Sequence, residues 1–154
     1  KTKHMSTYKP PMNIALRNSA RKSVFLAGSI EMGVAENWQD RVGKFFKDLG
    51  YDVFNPRREE WDSSWEQKFE NPQFYQQVNW ELNALESADL IIMYFDPSTK
   101  SPISLLELGL FARSGKLRVV CPDGFWRIGN VEITCNYYNI TLYNNLDTLF
   151  LDLG

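Results

Sequence analysis

The sequence contains a single histidine, His4, and only two cysteines, Cys121 and Cys135, in 154 residues. Lys1-Thr-Lys-His4 reads as a cloning remnant ahead of Met5 as initiator. Without His4, no Ser-His-Asp triad, Cys-His pair or histidine-bound metal can be assembled. Catalysis would then run on carboxylates, hydroxyls, Lys, Tyr or Cys. The two cysteines have neither metal nor redox spacing and read as reduced structural residues. No secretory hydrophobic segment precedes them, which makes a reducing cytoplasm the default location. An excess of charge is also missing, with 17 Lys+Arg against 19 Asp+Glu and a net charge of −2. Neutralising nucleic-acid or lipid phosphates needs a cationic surplus, so neither nucleic acid nor membrane is an expected partner. The longest apolar run, Asp89 to Phe95, falls far short of the ~20 residues that span a bilayer. Gly28-Ser-Ile-Glu-Met-Gly33 departs from the Gly-x-Gly-x-x-Gly dinucleotide spacing, and no other cofactor or metal motif is visible.

What is present is an ordinary globular composition, 44% hydrophobic and 23% charged, in a length that suits one domain. Residues 1–21 are polar, carry Pro10-Pro11 and show no sustained period; they read as an N-terminal arm before a single domain over 22–154. Apolar runs at 23–27, 51–54, 89–95, 117–121 and 140–143 read as five strands. Between them lie helical patterns. The first runs through Val34, Trp38, Val42, Phe45, Phe46 and Leu49 to Gly50. The second opens at Asn71-Pro72 with a stripe of Phe74, Val78, Leu82 and Leu85, and the third at Ser101-Pro102 with Ile103, Leu106, Leu110 and Phe111. A short helix follows Asn145, whereas 57–71 and the Pro/Gly/aromatic stretch after Cys121 read as loops. Alternating strands and helices imply right-handed crossovers and a covered, mainly parallel sheet. The expected fold class is therefore α/β, a flavodoxin-like or Rossmann-like three-layer sandwich around five central strands. Ligands in such folds sit at the carboxyl ends of the strands, here Gly28-Ser29, Asn55-Pro-Arg57, Asp96 to Ser101 and Pro122 to Asn130.

Two carboxylates stand out. Glu107 lies inside Ile103-Ser-Leu-Leu-Glu-Leu-Gly-Leu-Phe-Ala112, and Glu81 lies three residues after Val78 and four before Leu85. A glutamate near a helix start is commonly an ion-pairing residue stabilised by the helix dipole. Two of them on helices flanking one strand instead suggest a working pair, because an unpaired buried charge costs several kcal/mol. Paired carboxylates are the usual equipment for cleaving a glycosidic bond.

The run Leu105-Leu-Glu-Leu-Gly-Leu-Phe-Ala-Arg-Ser-Gly-Lys116 resembles the nucleophile helix of nucleoside 2-deoxyribosyltransferases, and Glu81-Leu-Asn to Asp89 resembles their acidic segment. Asn55-Pro-Arg-Arg58, Trp61-Asp62, Val78-x-Trp80-Glu81 and Ser101-Pro-Ile-x-Leu-Leu-Glu107 are similar to the deoxyribosyltransferase-like branch, the likeness covering about residues 22–131. The resemblance implies an enzyme in which Glu107 is the nucleophile at the anomeric carbon and Glu81 the acid that assists it. Asn130 would orient the nucleophile, across a subunit interface of a homo-oligomer with shared sites. Gly28 and Ser29 would line the sugar pocket, and Asn55, Arg57 and Trp61 would hold the base. The implied ligands are a deoxynucleoside or deoxynucleotide and a nucleobase, with no cofactor and no metal. In two respects the chain departs from the transferases, the first being Glu81, one methylene longer than the Asp they usually carry there. Ser101 stands where they carry Asp, and a Ser there resembles the related deoxynucleoside 5′-monophosphate N-glycosidases, which use it on phosphate. A hydrolase using the same nucleophile and a non-catalytic nucleotide-binding module are the alternatives.

Overall fold

A computed structural model describes residues 6–29, 37–58 and 62–154. Trp61, residues 1–5 and Val34 lie outside the described residues. The elements are β1 (Thr7–Tyr8), a 3-10 turn (Ile14–Leu16), β2 (Ser23–Gly28), α1 (Trp38–Asp48), β3 (Asp52–Phe54), α2 (Pro72–Ser87), β4 (Leu90–Tyr94), α3 (Pro102–Phe111), β5 (Leu117–Val120), α4 (Ile128–Tyr137), β6 (Thr141–Tyr143) and α5 (Leu146–Leu153). The strands form one sheet in the order β1-β3-β2-β4-β5-β6, with every pairing parallel. Omitting β1, this is the flavodoxin-like order, and the direction of winding reverses between β2 and β4.

The sheet has six strands among the described residues rather than five. The additional one comes from the arm, where Thr7 pairs with Val53 and Tyr8 with Phe54. Two residues are too short to carry an apolar alternation, and the strand exists because β3 offers it an open edge. The Val53 amide donates to the Ser6 carbonyl at 2.7 Å and the Asn55 amide to the Tyr8 carbonyl at 2.9 Å. Further along the arm, Arg17 and Arg21 each reach the fully buried carboxylate of Asp52 at 3.0 Å. The Trp80 indole N–H donates to the Met12 carbonyl at 2.8 Å. The arm thus ties the amino end of β3 to α2.

Alternation along the strands divides the core. Val24, Leu26, Ile92, Tyr94 and Val120 face α1 and α5, whereas Phe25, Ala27, Ile91, Met93, Phe95 and Val119 face α2, α3 and α4. On the first side Trp38, Val42 and Phe46 of α1 are buried as its pattern announces, Phe45 is half-buried, and Leu49, past the last full turn, is exposed. The other side corrects two expected stripes. On α2 the buried residues are Gln77, Trp80, Ala84 and Leu85, and Leu82 is exposed. The bulk of Trp80 and the small Ala84, fitted against the sheet, set the rotation of the helix. On α3 the buried residues are Ser104, Glu107, Leu108 and Phe111, leaving Ile103, Leu106 and Leu110 exposed. That helix is apolar almost all round, so its period does not choose a side.

The stretch after Cys121 was expected as a loop, yet residues 128–137 form α4. Its Gly129, Asn130, Thr134 and β-branched residues are poor helix formers. Burial of Val131 and Cys135, one turn apart, holds it in place.

Candidate active site

The reversal point of the sheet lies between the carboxyl ends of β2 and β4, where Gly28-Ser29 meets Tyr94 to Ser101. Gly28 has φ +136°, and a Cβ there would stand 2.2 Å from the Tyr94 carbonyl oxygen and 2.9 Å from the Trp38 ring. Only glycine permits that approach. The residue is therefore explained by contact between strands, and the chain continues from it straight into Ser29.

Ser29, Thr99 and Ser101 are all buried and their hydroxyls meet in a triangle. Ser29 Oγ lies 2.6 Å from Ser101 Oγ and 2.9 Å from Thr99 Oγ1, and the last two are 2.8 Å apart. The Asp96 amide donates to Ser29 Oγ at 2.8 Å, and Thr99 Oγ1 donates to the Asp96 carbonyl at 2.9 Å. The Trp38 indole N–H donates to the Ser29 carbonyl at 2.9 Å. Ser101 adopts a left-handed conformation, φ 48°, immediately before α3, and its hydroxyl does not cap the helix because it is turned into this triangle. Pro102 then fixes the first turn. The β4–α3 connection is thereby pinned to the end of β2, and α3 leaves it with the Ser101, Ser104 and Glu107 row facing inward.

Glu107 is 7% exposed. Burial pushes its carboxyl up to about 8, and the neighbouring charge of Glu81 adds to the rise. Glu81, on α2, is half-buried at its surface, but desolvation of its carboxyl raises it to about 7, partly offset by a hydrogen bond from Gln77. The Gln77 amide nitrogen donates to Glu81 Oε1 at 3.2 Å and to the Pro56 carbonyl at 3.0 Å. Burial raises the proton affinity of both carboxyls, and the charge of Glu81 raises that of Glu107 further.

The other residues singled out in the sequence are placed as follows. Asn55 is buried, its side-chain oxygen accepting from the Arg57 amide at 3.0 Å, so it shapes the turn that leaves β3. Arg57 is half-buried and its Nε is enclosed without a hydrogen-bond partner. Asn130 stands exposed on α4, and no described hydrogen bond joins it to the carboxyl pair. Phe125 is core, packed on Phe95 with ring centroids 4.9 Å apart, whereas Trp126 is exposed and donates to the Lys100 carbonyl at 2.8 Å. Gln77 was not singled out in the sequence, and Asp96 and Thr99 were named only within the strand end Asp96 to Ser101. Among the described residues no three His, Cys, Asp or Glu side chains group as metal ligands, and no helix is long and apolar enough to cross a membrane. A cavity of about 470 Å³ lies elsewhere, between α4 and β6, lined by Ile133, Cys135, Ile140 and Leu142 among others.

A flavodoxin-like parallel sheet with two desolvated carboxyls on the helices before and after β4 defines an α/β protein of the kind that binds its ligand at the reversal point of the sheet. The more particular assignment comes from a family match. Residues 21–125 match the family described as nucleoside 2-deoxyribosyltransferase like, and the chain belongs to that family. The matched span holds β2 through β5, both glutamates and the hydroxyl triangle, and it ends before Asn130. No curated protein matches the chain.

Proposed function

We propose that the protein is a nucleoside 2-deoxyribosyltransferase that works through a covalent glutamyl-deoxyribose. The observation that carries this reading is the pair of desolvated carboxyls, Glu107 and Glu81, on the helices flanking β4, in a family described as nucleoside 2-deoxyribosyltransferase like. A carboxylate oxygen of Glu107 attacks C1′ while the C1′–N bond breaks, and the departing base takes a proton from Glu81. The nitrogen of a second base then attacks C1′, the C1′–O bond to Glu107 breaks, and Glu81 recovers a proton from the incoming N–H. The low-dielectric wall around Glu107 strengthens its attraction to the cationic sugar carbon, which favours the ionised form once substrate is bound. Gly28 and Ser29 would border the sugar, with Asn55, Arg57 and Trp61 towards the base.

A second reading is favoured by one observation. Position 101 carries a hydroxyl, and three hydroxyls cluster at the start of α3. That chemistry suits a 5′-phosphorylated substrate and a hydrolytic second step, in which water replaces the acceptor base. Incubation of the protein with a deoxynucleoside or its 5′-monophosphate, with and without a free base, separates the cases by chromatography. A swapped nucleoside supports transfer and free base alone supports hydrolysis. Absence of turnover, with no glycosyl adduct on Glu107 by mass spectrometry, leaves a nucleotide-binding module.

The exposed row Ile103, Leu106 and Leu110 on α3 supports self-association. A neighbouring copy would cover it and could bring its Asn130 to the pair. Light scattering of Leu106→Arg against the unmodified protein tests this, and equal masses for the two would overturn it.

A further inference from the structure

Gln77 sits one turn before Glu81 on the buried row of α2 and is 8% exposed. Its nitrogen donates to two acceptors, the Pro56 carbonyl at 3.0 Å and Glu81 Oε1 at 3.2 Å. Its oxygen is enclosed and has no partner. This uneven arrangement fixes which way round the amide stands. Turned over, the oxygen would face the carbonyl of Pro56, a second acceptor with no proton to offer. The side chain can therefore only donate towards Glu81, and a donor of this kind favours the carboxylate over the acid.

We propose that Gln77 is a positioning residue for the reaction: the Pro56 carbonyl locks its amide as a donor, which holds Glu81 in one rotamer and ready to accept the proton of the incoming base or water. The inference rests on the glycosyl-transfer reading and says how one carboxyl serves both halves of it. Desolvation by itself drives Glu81 towards the neutral acid, which suits only the departure of the first base. The fixed donor opposes that drift, so Glu81 can release a proton in one half-reaction and take one in the next. The bond to Pro56 also spans the gap between α2 and the end of β3, so the acid is registered against the Asn55–Arg57 turn. Other charged groups around this position, among the described residues, are Glu107 on α3 and Arg57 and Arg58 after Pro56. Arg58 is turned to the neighbouring Gln76 Oε1 at 3.1 Å. The charge of Glu81 raises the proton affinity of Glu107, whereas the hydrogen bond from Gln77 acts on Glu81 itself.

The test is a carbon-13 titration of the full chain labelled at the glutamate side-chain carboxyls, with Glu81→Gln and Glu107→Gln assigning the two resonances. In Gln77→Met the Glu81 midpoint should rise by about one pH unit. Single-turnover kinetics should show transfer to the acceptor slowed about tenfold, with sugar uptake by Glu107 changed less. Gln77→Glu, nearly the same shape, should shift the midpoint in the same direction and serves if the methionine variant fails to fold. An unchanged Glu81 midpoint in either folded variant overturns the proposal, as does equal slowing of both half-reactions. The titration needs no turnover, so an inert protein would count against the transfer chemistry without being mistaken for failure of the Gln77–Glu81 coupling.

Discussion

On one face of the sheet α1 turns Trp38, Val42 and Phe46 inward and leaves Asp40, Arg41, Lys44 and Lys47 in water. On the other face α3 does nearly the reverse, with Ser104 and Glu107 against the core and Ile103, Leu106 and Leu110 outside. The α1 side follows the ordinary economy of an amphipathic helix and lowers the free energy of the fold. The α3 side gives up part of that gain to place a carboxyl where water is scarce, and it leaves an apolar row for another surface. Stability and chemistry are thus assigned to opposite sides of the same strands, and variants on the two sides should behave differently.

The sharpest break in that division would come from Glu107→Gln, expected to lower kcat by about four orders of magnitude while the circular dichroism spectrum stays unchanged. A variant within tenfold of the parent would remove Glu107 from the chemistry. On the opposite face, Phe46→Ala should cost about 3–5 kcal/mol in urea unfolding, with kcat of the folded fraction unaltered. A large loss of kcat there would merge the two sides.

A third test reverses the usual expectation for a mutation in the core. Glu107 binds its proton more tightly folded than unfolded, so between about pH 4.5 and about pH 8 the native state holds more protons and stability falls as pH rises. Glu107→Gln should therefore be more stable than the parent at pH 8, by on the order of 3 kcal/mol, and equal to it near pH 4. Thermal unfolding at the two pH values checks the sign, and equal differences at both would refute it. The same pair predicts a bell-shaped activity profile with its maximum between about 7 and about 8, read from initial rates.

The smallest effect concerns a blemish on the orderly side. Gln39 of α1 is 1% exposed, and among the described residues neither its amide nitrogen nor its oxygen has a partner. Gln39→Met keeps the volume and removes both unmet groups, so it should stabilise by about 1 kcal/mol in denaturant unfolding. A loss of stability would mean that the amide is needed where it stands.

How much of this was readable from the chain follows the same division. The strands and α1 were legible because their apolar residues recur with a period that only one face can satisfy. The roles of α2 and α3 as helices were equally clear, but not their rotation. Leu82 and Trp80 compete for the inner side of α2, and α3 offers leucine in nearly every direction. Glu81 and Glu107 were visible as charges among apolar neighbours. Gln77 was not, since its importance depends on a carbonyl 21 residues away at Pro56. Asp96 to Ser101 was visible as a strand end, but its contact with Ser29 was not, since the two lie on different strands. Poor helix formers concealed α4, and β1 is an edge completed by a neighbour rather than by its own pattern.

The meeting of Ser29, Thr99 and Ser101 rewards a count of hydrogens. Three side-chain hydrogens must serve three oxygen-to-oxygen edges, and one of them, on Thr99, is already directed at the Asp96 carbonyl. At least one edge therefore brings two lone pairs together, since Ser29 Oγ also lies 3.4 Å from the Tyr94 carbonyl. A phosphate oxygen arriving there brings no hydrogen of its own, so the Ser29 or Ser101 hydroxyl would have to turn out of the triangle to hold it.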